Sequence, residues 1–244
     1  MEKAKSIMVI LSGGMDSSIC LHWAKKNYEE IHAITFTFDN SNDFELSDAK
    51  LVAQRASIIS HTVVPLGSVL RGDSPLTTNN ELELYASYEE MQEIIGNRVE
   101  TTFVPNRNAI FMLLASSFAL EKDVYTICTG IRETENYPDC SRLFVESFEK
   151  AVNISLPKNK KISFIHPLID MNRLGTIKFA QALGILKELA YTRSSYEKKE
   201  IPSFKDRASI LREQGFLEAN IADPLRVRLH IEKNINLPRT SNYE

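Results

Sequence analysis

The sequence predicts an α/β protein: an open, doubly wound parallel sheet with a small helical C-terminal region. Three observations carry this. Ile7–Leu11 is an unbroken apolar run, as expected of a strand buried on both faces and therefore of a parallel sheet. Further β-branched and aromatic runs alternate along the chain with helix-like segments, the order that right-handed crossovers require. At 244 residues the chain suits one α/β domain with a smaller appended region. A net charge of −3 and 25% charged residues give no global case for nucleic-acid or membrane binding. No apolar run is long enough to span a bilayer, and Met1–Lys5 lacks a signal-peptide core. Cys20, Cys128 and Cys140 lie far apart and form no disulfide framework, so a reducing cytoplasm is the expected compartment.

Taken in order, the first strand runs into Ser12-Gly13-Gly14-Met15-Asp16-Ser17-Ser18, and Ile19, Leu21, His22, Trp23 and Ala24 continue as a helical pattern. Ile31–Phe38 is a second strand, ended by the polar stretch Asp39–Asp43. Glu45–Ile59 has helical composition, with Leu46, Ala49, Leu51, Val52, Ala53 and Ala56 as candidate buried positions, and His61–Leu66 is a third, short strand. Residues 67–84 are rich in turn formers and read as a loop placed to cover a site. Tyr85–Ile95 reads as a helix, Ala109–Leu120 as an apolar helix and Val124–Cys128 as a buried strand. Ser141–Ile154 is an amphipathic helix, Ile162–Leu168 a strand, and Met171–Leu183 a helix closed by Gly184. His166 reads as a satisfied core residue, and 233–244 as a polar, poorly ordered tail.

Strand, glycine turn and helix start form the geometry that points several backbone N–H groups at one anion. Gly13 and Gly14 let the backbone bend and approach a phosphate. Ser12, Ser17 and Ser18 add hydroxyls, and Asp16 is suited either to cap the helix or to hold a metal ion. The loop carries no lysine and no Gly-Lys-Ser/Thr follows it, which separates it from the common ATPase loop. In open α/β sheets the ligand crevice lies beyond the carboxyl ends of the strands, which places Ser12–Ser18, Asp39–Asn42 and the Thr129-Gly130 turn together. Ahead of the apolar helix stands Phe103-Val104-Pro105-Asn106-Arg107-Asn108, where Asn106 or Asn108 can cap. Arg107 there opposes the macrodipole, which leaves two readings, a solvated arginine or an anion clamp beside the crevice.

Ser-Gly-Gly-x-Asp-Ser after a first buried strand resembles the pyrophosphate loop of ATP-pyrophosphatases, which cleave ATP to AMP and pyrophosphate on a sheet of the adenine nucleotide alpha-hydrolase type. Together with Val104-Pro105-x-Arg107-Asn108, Thr129-Gly130, Tyr137-Pro138-Asp139-Cys140 and Pro167-Leu168, it resembles one family within that superfamily, the 7-cyano-7-deazaguanine synthases of queuosine biosynthesis. The matches run from about Ile7 to Phe216. The resemblance implies an ATP-dependent carbon–nitrogen ligase that adenylates 7-carboxy-7-deazaguanine or a related deazapurine carboxylate. Ammonia then gives the amide, which is activated again and dehydrated to a nitrile. It implies ATP and Mg²⁺ as cofactors, no membrane partner, and a homodimer as a candidate assembly. Residues 1–185 would be the nucleotide-binding domain, and 186–244 a helical region ending in the polar tail.

Carried over residue by residue, the resemblance gives ATP to Ser12, Gly13, Gly14, Met15, Asp16, Ser17, Ser18, Thr129 and Gly130. It gives the substrate to Asn108, Glu133, Tyr137, Pro138, Asp139 and Cys140, and catalysis to Asp16, Arg107 and Asp139. The chain departs from the family in three places. Four zinc-binding cysteines are replaced by Ser195, Lys198, Ile201 and Phe204, so no zinc site is expected, and Ile201 and Phe204 point to hydrophobic packing in its stead. Asn40, Ser41, Asn42 and Glu45 stand where the family has Gln-Arg-His-x-x-Glu. Ser141 replaces an arginine, and the loop between Glu133 and Tyr137 is about two residues short. These departures keep a second reading open, adenylation of another small molecule, a nucleic acid or a protein; the intact Ser12–Ser18 loop disfavours a third, a non-catalytic nucleotide-binding subunit.

Overall fold

The computed structural model describes residues 4–39, 43–133 and 137–244; the departures at 40–42 and the shortened 134–136 loop lie outside the described residues. Five strands, β1 (Ala4–Ile10), β2 (Tyr28–Thr37), β3 (Ser60–Pro65), β4 (Thr126–Cys128) and β5 (Ser163–Ile165), form one sheet. Its order is β3-β2-β1-β4-β5 and every pairing is parallel. The chain winds outward from β1 to β3, then returns across the sheet to β4. The winding therefore reverses between β1 and β4, where Val9 pairs with Cys128, and the crevice of such sheets opens at that reversal.

Eight helices complete the described architecture: α1 (Met15–Asn27), α2 (Asp43–Ala56), α3 (Tyr88–Ile95), α4 (Arg107–Glu121), α5 (Arg142–Ser155), α6 (Arg173–Ala182), α7 (Arg207–Ala219) and α8 (Pro224–Lys233). The period-2 alternation of β1 explains why its apolar run is unbroken. Ile7 and Val9 pack into one layer with α1, α2, α6 and Phe216 of α7, while Met8 packs into the other with Met112 and Ala115 of α4, Ile34 and Ile127. Ile7, Met8 and Val9 are each fully buried, so each contributes about 1.5–3 kcal/mol.

Several helix ends follow from single polar residues. The Ser141 hydroxyl accepts from Phe144 N at 3.2 Å to start α5, and the Asn172 side chain accepts from Gly175 N at 2.8 Å to start α6. Ser87 caps α3, so that helix begins three residues later than its composition predicts. The 67–84 loop buries Leu70 and Ser74 and contributes Pro75 and Leu76 to the wall of the cleft. The final stretch differs from the expected loose tail: Asn242 donates to Ile221 O at 2.9 Å, and the Tyr243 hydroxyl accepts from Asp223 N at 3.3 Å. These bonds return the chain end to the loop between α7 and α8. Among the described residues no helix is long and apolar enough to cross a membrane.

Candidate active site

A cleft of about 330 Å³ opens at the carboxyl end of the sheet, over the β1/β4 reversal. Its floor is the loop after β1. The Ser12 and Ser17 hydroxyls lie 3.1 Å apart, Gly14 N donates to Ser12 Oγ at 3.3 Å, and Ser17 Oγ donates to Gly14 O at 3.1 Å. Gly14 caps α1 in extended conformation with no side-chain bond, so the first-turn N–H groups open toward the cleft. Gly13 has φ +81°, and a Cβ there would stand 2.6 Å from Ala49 N and 2.8 Å from Glu45 O; only glycine lets α2 pack this close. Gly130 serves the same purpose from the other side, since its Cβ would meet Ser17 N at 3.0 Å. Arg193 N donates to Gly13 O at 3.0 Å, so the C-terminal region closes the loop from above.

Among the described residues five arginines, Arg107, Arg132, Arg173, Arg193 and Arg207, line this cleft together with Lys198, against two carboxylates, Asp16 and Glu45. In a chain of net charge −3, that concentration of positive charge makes an anion site. Three of the arginines, Arg107, Arg173 and Arg207, occupy the first position of their helices, where a cation opposes the dipole and costs stability. Asp16 stands between two of the five: Arg132 Nε lies 3.2 Å from its Oδ2, and Arg173 Nη1 lies 2.9 Å from Oδ2 and 3.1 Å from Oδ1. Burial pushes the Asp16 carboxyl up, but Arg173 and then Arg132 outweigh it and hold the group below its ordinary value. Arg193 is held by Asp48 Oδ2 at 2.7 Å and by the Lys199 and Glu200 carbonyls. Glu45 is pushed up to about 7, first by burial and further by Asp48 and Asp206, against the pull of Arg107 and Arg193. The far wall is apolar, with Phe36 stacked on Phe111 at 4.8 Å beside Leu76 and Met112, a surface suited to a planar ring.

The two motifs downstream of the loop lock onto each other. Asp139 Oδ2 accepts from Asn108 N at 3.1 Å, while Asn108 Nδ2 donates to Asp139 O at 3.2 Å and to Cys140 Sγ at 3.4 Å. The cap on α4 thus comes from Asp139, thirty-one residues away; Asn106 sits at the N-cap with φ +61° and no side-chain bond. Tyr137 stacks on Phe103 at 5.8 Å, and its hydroxyl donates to buried Glu100 at 2.8 Å. The net effect is to fix the start of α4 and with it Arg107, which lines the cleft rather than standing in solvent.

Of the residues singled out from sequence, Ser12, Gly14, Met15, Asp16, Ser17, Arg107, Asn108, Thr129, Gly130, Tyr137 and Cys140 line the cleft. Gly13, Ser18, Glu133, Pro138 and Asp139 do not: Ser18 Oγ donates to Gly14 O at 2.8 Å, Glu133 accepts from Arg142 N at 3.0 Å, and Asp139 is turned to α4. The Thr129 hydroxyl lies 2.7 Å from His166 Nδ1, which makes His166 a satisfied interior group. Arg193 carries no site signal in the sequence; an arginine at a helix start opposite its dipole is the one hint for Arg173 and Arg207, and for Glu45 the one hint is that it falls on the Glu of the family's Gln-Arg-His-x-x-Glu.

Where the family carries zinc cysteines, this chain is held by buried carboxylates, and the expectation of hydrophobic packing is corrected. Phe204 is only half-buried, at φ +60°, with the Arg226 guanidinium 4.1 Å over its ring. Asp206 instead accepts from Ser195 Oγ, from Ser209 N at 3.0 Å and from Ser209 Oγ at 3.0 Å, and Glu197 accepts from Ser203 N and Oγ. Two residues of apolar side chain leave a loop's backbone N–H groups unsatisfied, which two carboxylates do not. Among the described residues no group of three or more His, Cys, Asp or Glu could hold a metal ion, and the three cysteines are buried and form no disulfide.

Residues 6–220 match the family model described as queuosine biosynthesis protein QueC. A 7-cyano-7-deazaguanine synthase of Gloeobacter violaceus is 34% identical over 227 residues, covering 91% of this chain and 95% of that protein. One of Laribacter hongkongensis is 31% identical over 229 residues, covering 91% and 94%. One of Bacillus subtilis is 35% identical over 190 residues, covering 76% and 80%.

Proposed function

We infer the reaction from one premise: the chain belongs to the family of the queuosine biosynthesis protein QueC. It is an ATP-dependent enzyme of the pyrophosphate-loop class, and its substrate in this reading is 7-carboxy-7-deazaguanine. A carboxylate is a poor electrophile that ammonia will not attack unaided. Its oxygen displaces pyrophosphate from the α-phosphorus of ATP, which makes that oxygen a good leaving group; ammonia then replaces AMP to give the amide. A second ATP activates the amide oxygen in the same way, and its loss as AMP leaves the nitrile.

The observation that carries this reading is the concentration of five arginines and a lysine around a lysine-free pyrophosphate loop. The N–H groups of the loop and the start of α1 would hold the departing pyrophosphate, and the charge that develops there is stabilised by a preorganised array. Arg132 and Arg173 would hold Asp16 ionised and the loop in place. Arg107 would meet the substrate carboxylate or the α-phosphate, with the Phe36–Phe111 wall against a planar ring. Mg²⁺ accompanies ATP in such chemistry and offsets phosphate charge. Asp16 already spends both oxygens on arginines, so among the described residues the cleft offers no free carboxylate pair to hold the ion. The 195–209 segment, in this reading, is held by Asp206 and Glu197 without zinc.

The test is incubation with ATP, Mg²⁺, 7-carboxy-7-deazaguanine and ammonium chloride, followed by chromatography and mass spectrometry. AMP, pyrophosphate and the nitrile are the expected products. ADP as the nucleotide product would overturn the reading, and AMP without amide or nitrile would move the acceptor to another molecule.

A further inference from the structure

The reaction needs a proton acceptor. At neutral pH ammonia is present mainly as ammonium, which has no lone pair to attack with. Among the described residues no histidine lines the cleft, and its arginines cannot accept a proton. Asp16 is bound by two guanidinium groups that keep it ionised. The phenols of Tyr137 and Tyr196 are pushed up, in both cases mainly by burial, so neither is a base near neutrality. Asn108 engages the Cys140 sulfur. That leaves Glu45.

Its position suits the task. Glu45 stands in the first turn of α2, lines the cleft, and has its backbone against Gly13, directly behind the pyrophosphate loop. It therefore belongs to the wall of the cleft in which the adenylation reading places the acyl-adenylate. The charged groups acting on it are Arg107 from α4, Arg193 and Asp206 from the C-terminal region, and Asp48 on its own helix, with Tyr196 beside it. In a cleft of six cations, a carboxylate not bound into the Arg132–Asp16–Arg173 cluster is also the natural place for a small cation such as ammonium.

We propose that Glu45 binds ammonium and takes its proton, delivering ammonia to the acyl-adenylate; this rests on the adenylation reading above. Glu45 gains a proton from ammonium, and the freed nitrogen lone pair forms the C–N bond. The C–O bond to AMP breaks, with the bonding pair leaving on the phosphate. The surplus proton of the new C–N nitrogen goes to that phosphate, which departs as the AMP monoanion, and Glu45 returns its proton to water. The raised value of Glu45, about 7, matches a group that must both accept and release a proton near neutral pH.

The experiment compares Glu45→Gln with wild type using two nucleophiles, ammonium chloride and hydroxylamine. Hydroxylamine is largely unprotonated at neutral pH and traps an acyl-adenylate as a hydroxamate without a base to free its lone pair. In the variant, amide formation from ammonium should fall by about 10²–10³, whereas hydroxamate formation and the KM for the carboxylate should stay within about threefold of wild type. The wild-type ammonium reaction should lose rate below about pH 7 and level off above it, whereas the variant, left with free ammonia alone, should keep gaining rate with pH beyond that point. Glu45→Asp, which keeps the charge and shortens its reach, should fall between the two with hydroxamate formation intact. Parallel loss of amide and hydroxamate in a folded variant, or unchanged amide formation, would overturn the assignment. So would a KM for the carboxylate raised about tenfold at constant kcat, which would make Glu45 a recognition group. Wild type that forms no hydroxamate would overturn the adenylation reading itself.

Discussion

Asp16→Asn tests whether the Asp16 carboxylate belongs to the protein's own arginines. The substitution keeps size and shape but removes the charge. In the folded chain Arg132 is 2% exposed, and Asp16 Oδ2 stands 3.2 Å from its Nε and 2.9 Å from Arg173 Nη1. Losing one member of a fully buried ion pair costs about 3–5 kcal/mol, mostly because the partner charge is left in the interior. Asp16 and Arg173 are 23% and 19% exposed, so water recovers part of this, and about 2–3 kcal/mol is the expected loss. For a chain of this size that lowers Tm by about 4–12 °C. The pH dependence has a definite sign. The folded value of Asp16 lies below its ordinary 3.8, so the contribution is complete above that value and is lost as pH falls through the folded one. The gap between wild type and Asp16→Asn should therefore be full at pH 7 and shrink in acid below about pH 3.8. Thermal unfolding across pH, with AMP release measured at pH 7, is the assay, and turnover should fall by about 10² or more. An unchanged Tm with turnover lost would refute the clamp and show that the carboxylate acts on the ligands alone.

Five further outcomes are expected. Arg107→Lys should lower turnover about tenfold or more, because a point charge does not replace a planar fork, and unchanged kinetics would remove Arg107 from the anion site. Gly130→Ala should weaken ATP binding about tenfold by calorimetry, since its Cβ would lie 3.0 Å from Ser17 N and 3.1 Å from Asp16 C, both backbone atoms that cannot swing aside; wild-type affinity would show that the start of α1 yields. Asp206→Ala should cost about 2–3 kcal/mol by urea unfolding, for a lost helix cap and buried hydroxyl donors left unpaired. Half-buried Phe204→Ala should cost only about 1–2 kcal/mol. A chelator should leave Tm unchanged in the absence of nucleotide; stoichiometric zinc by elemental analysis, or a chelator-induced fall in Tm, would refute the carboxylate account.

The sequence by itself determined the sheet, its five strands and the pyrophosphate loop, because each is written locally. A doubly buried strand must be apolar at every position, as Ile7–Leu11 is, and a backbone that turns at φ +81° against Ala49 must be glycine, as Gly13 is. Arg107 carried a local signal too, a cation at the wrong end of a helix, but that signal is compatible with either solvent or a clamp. Only the tertiary structure puts Arg107 in the wall of the cleft. Arg107, Arg132, Arg173, Arg193 and Arg207 come from five separate places in the chain and share no spacing, so their common cleft exists only once β1 and β4 lie side by side. The same holds for Asp139, whose carboxylate accepts from Asn108 N at 3.1 Å and caps a helix thirty-one residues earlier, a partnership no local pattern shows. At 195–209 the residue types that replace the cysteines suggested apolar packing, yet the backbone N–H groups of that loop require acceptors. Asp206 and Glu197, which belong to no replaced position, supply them.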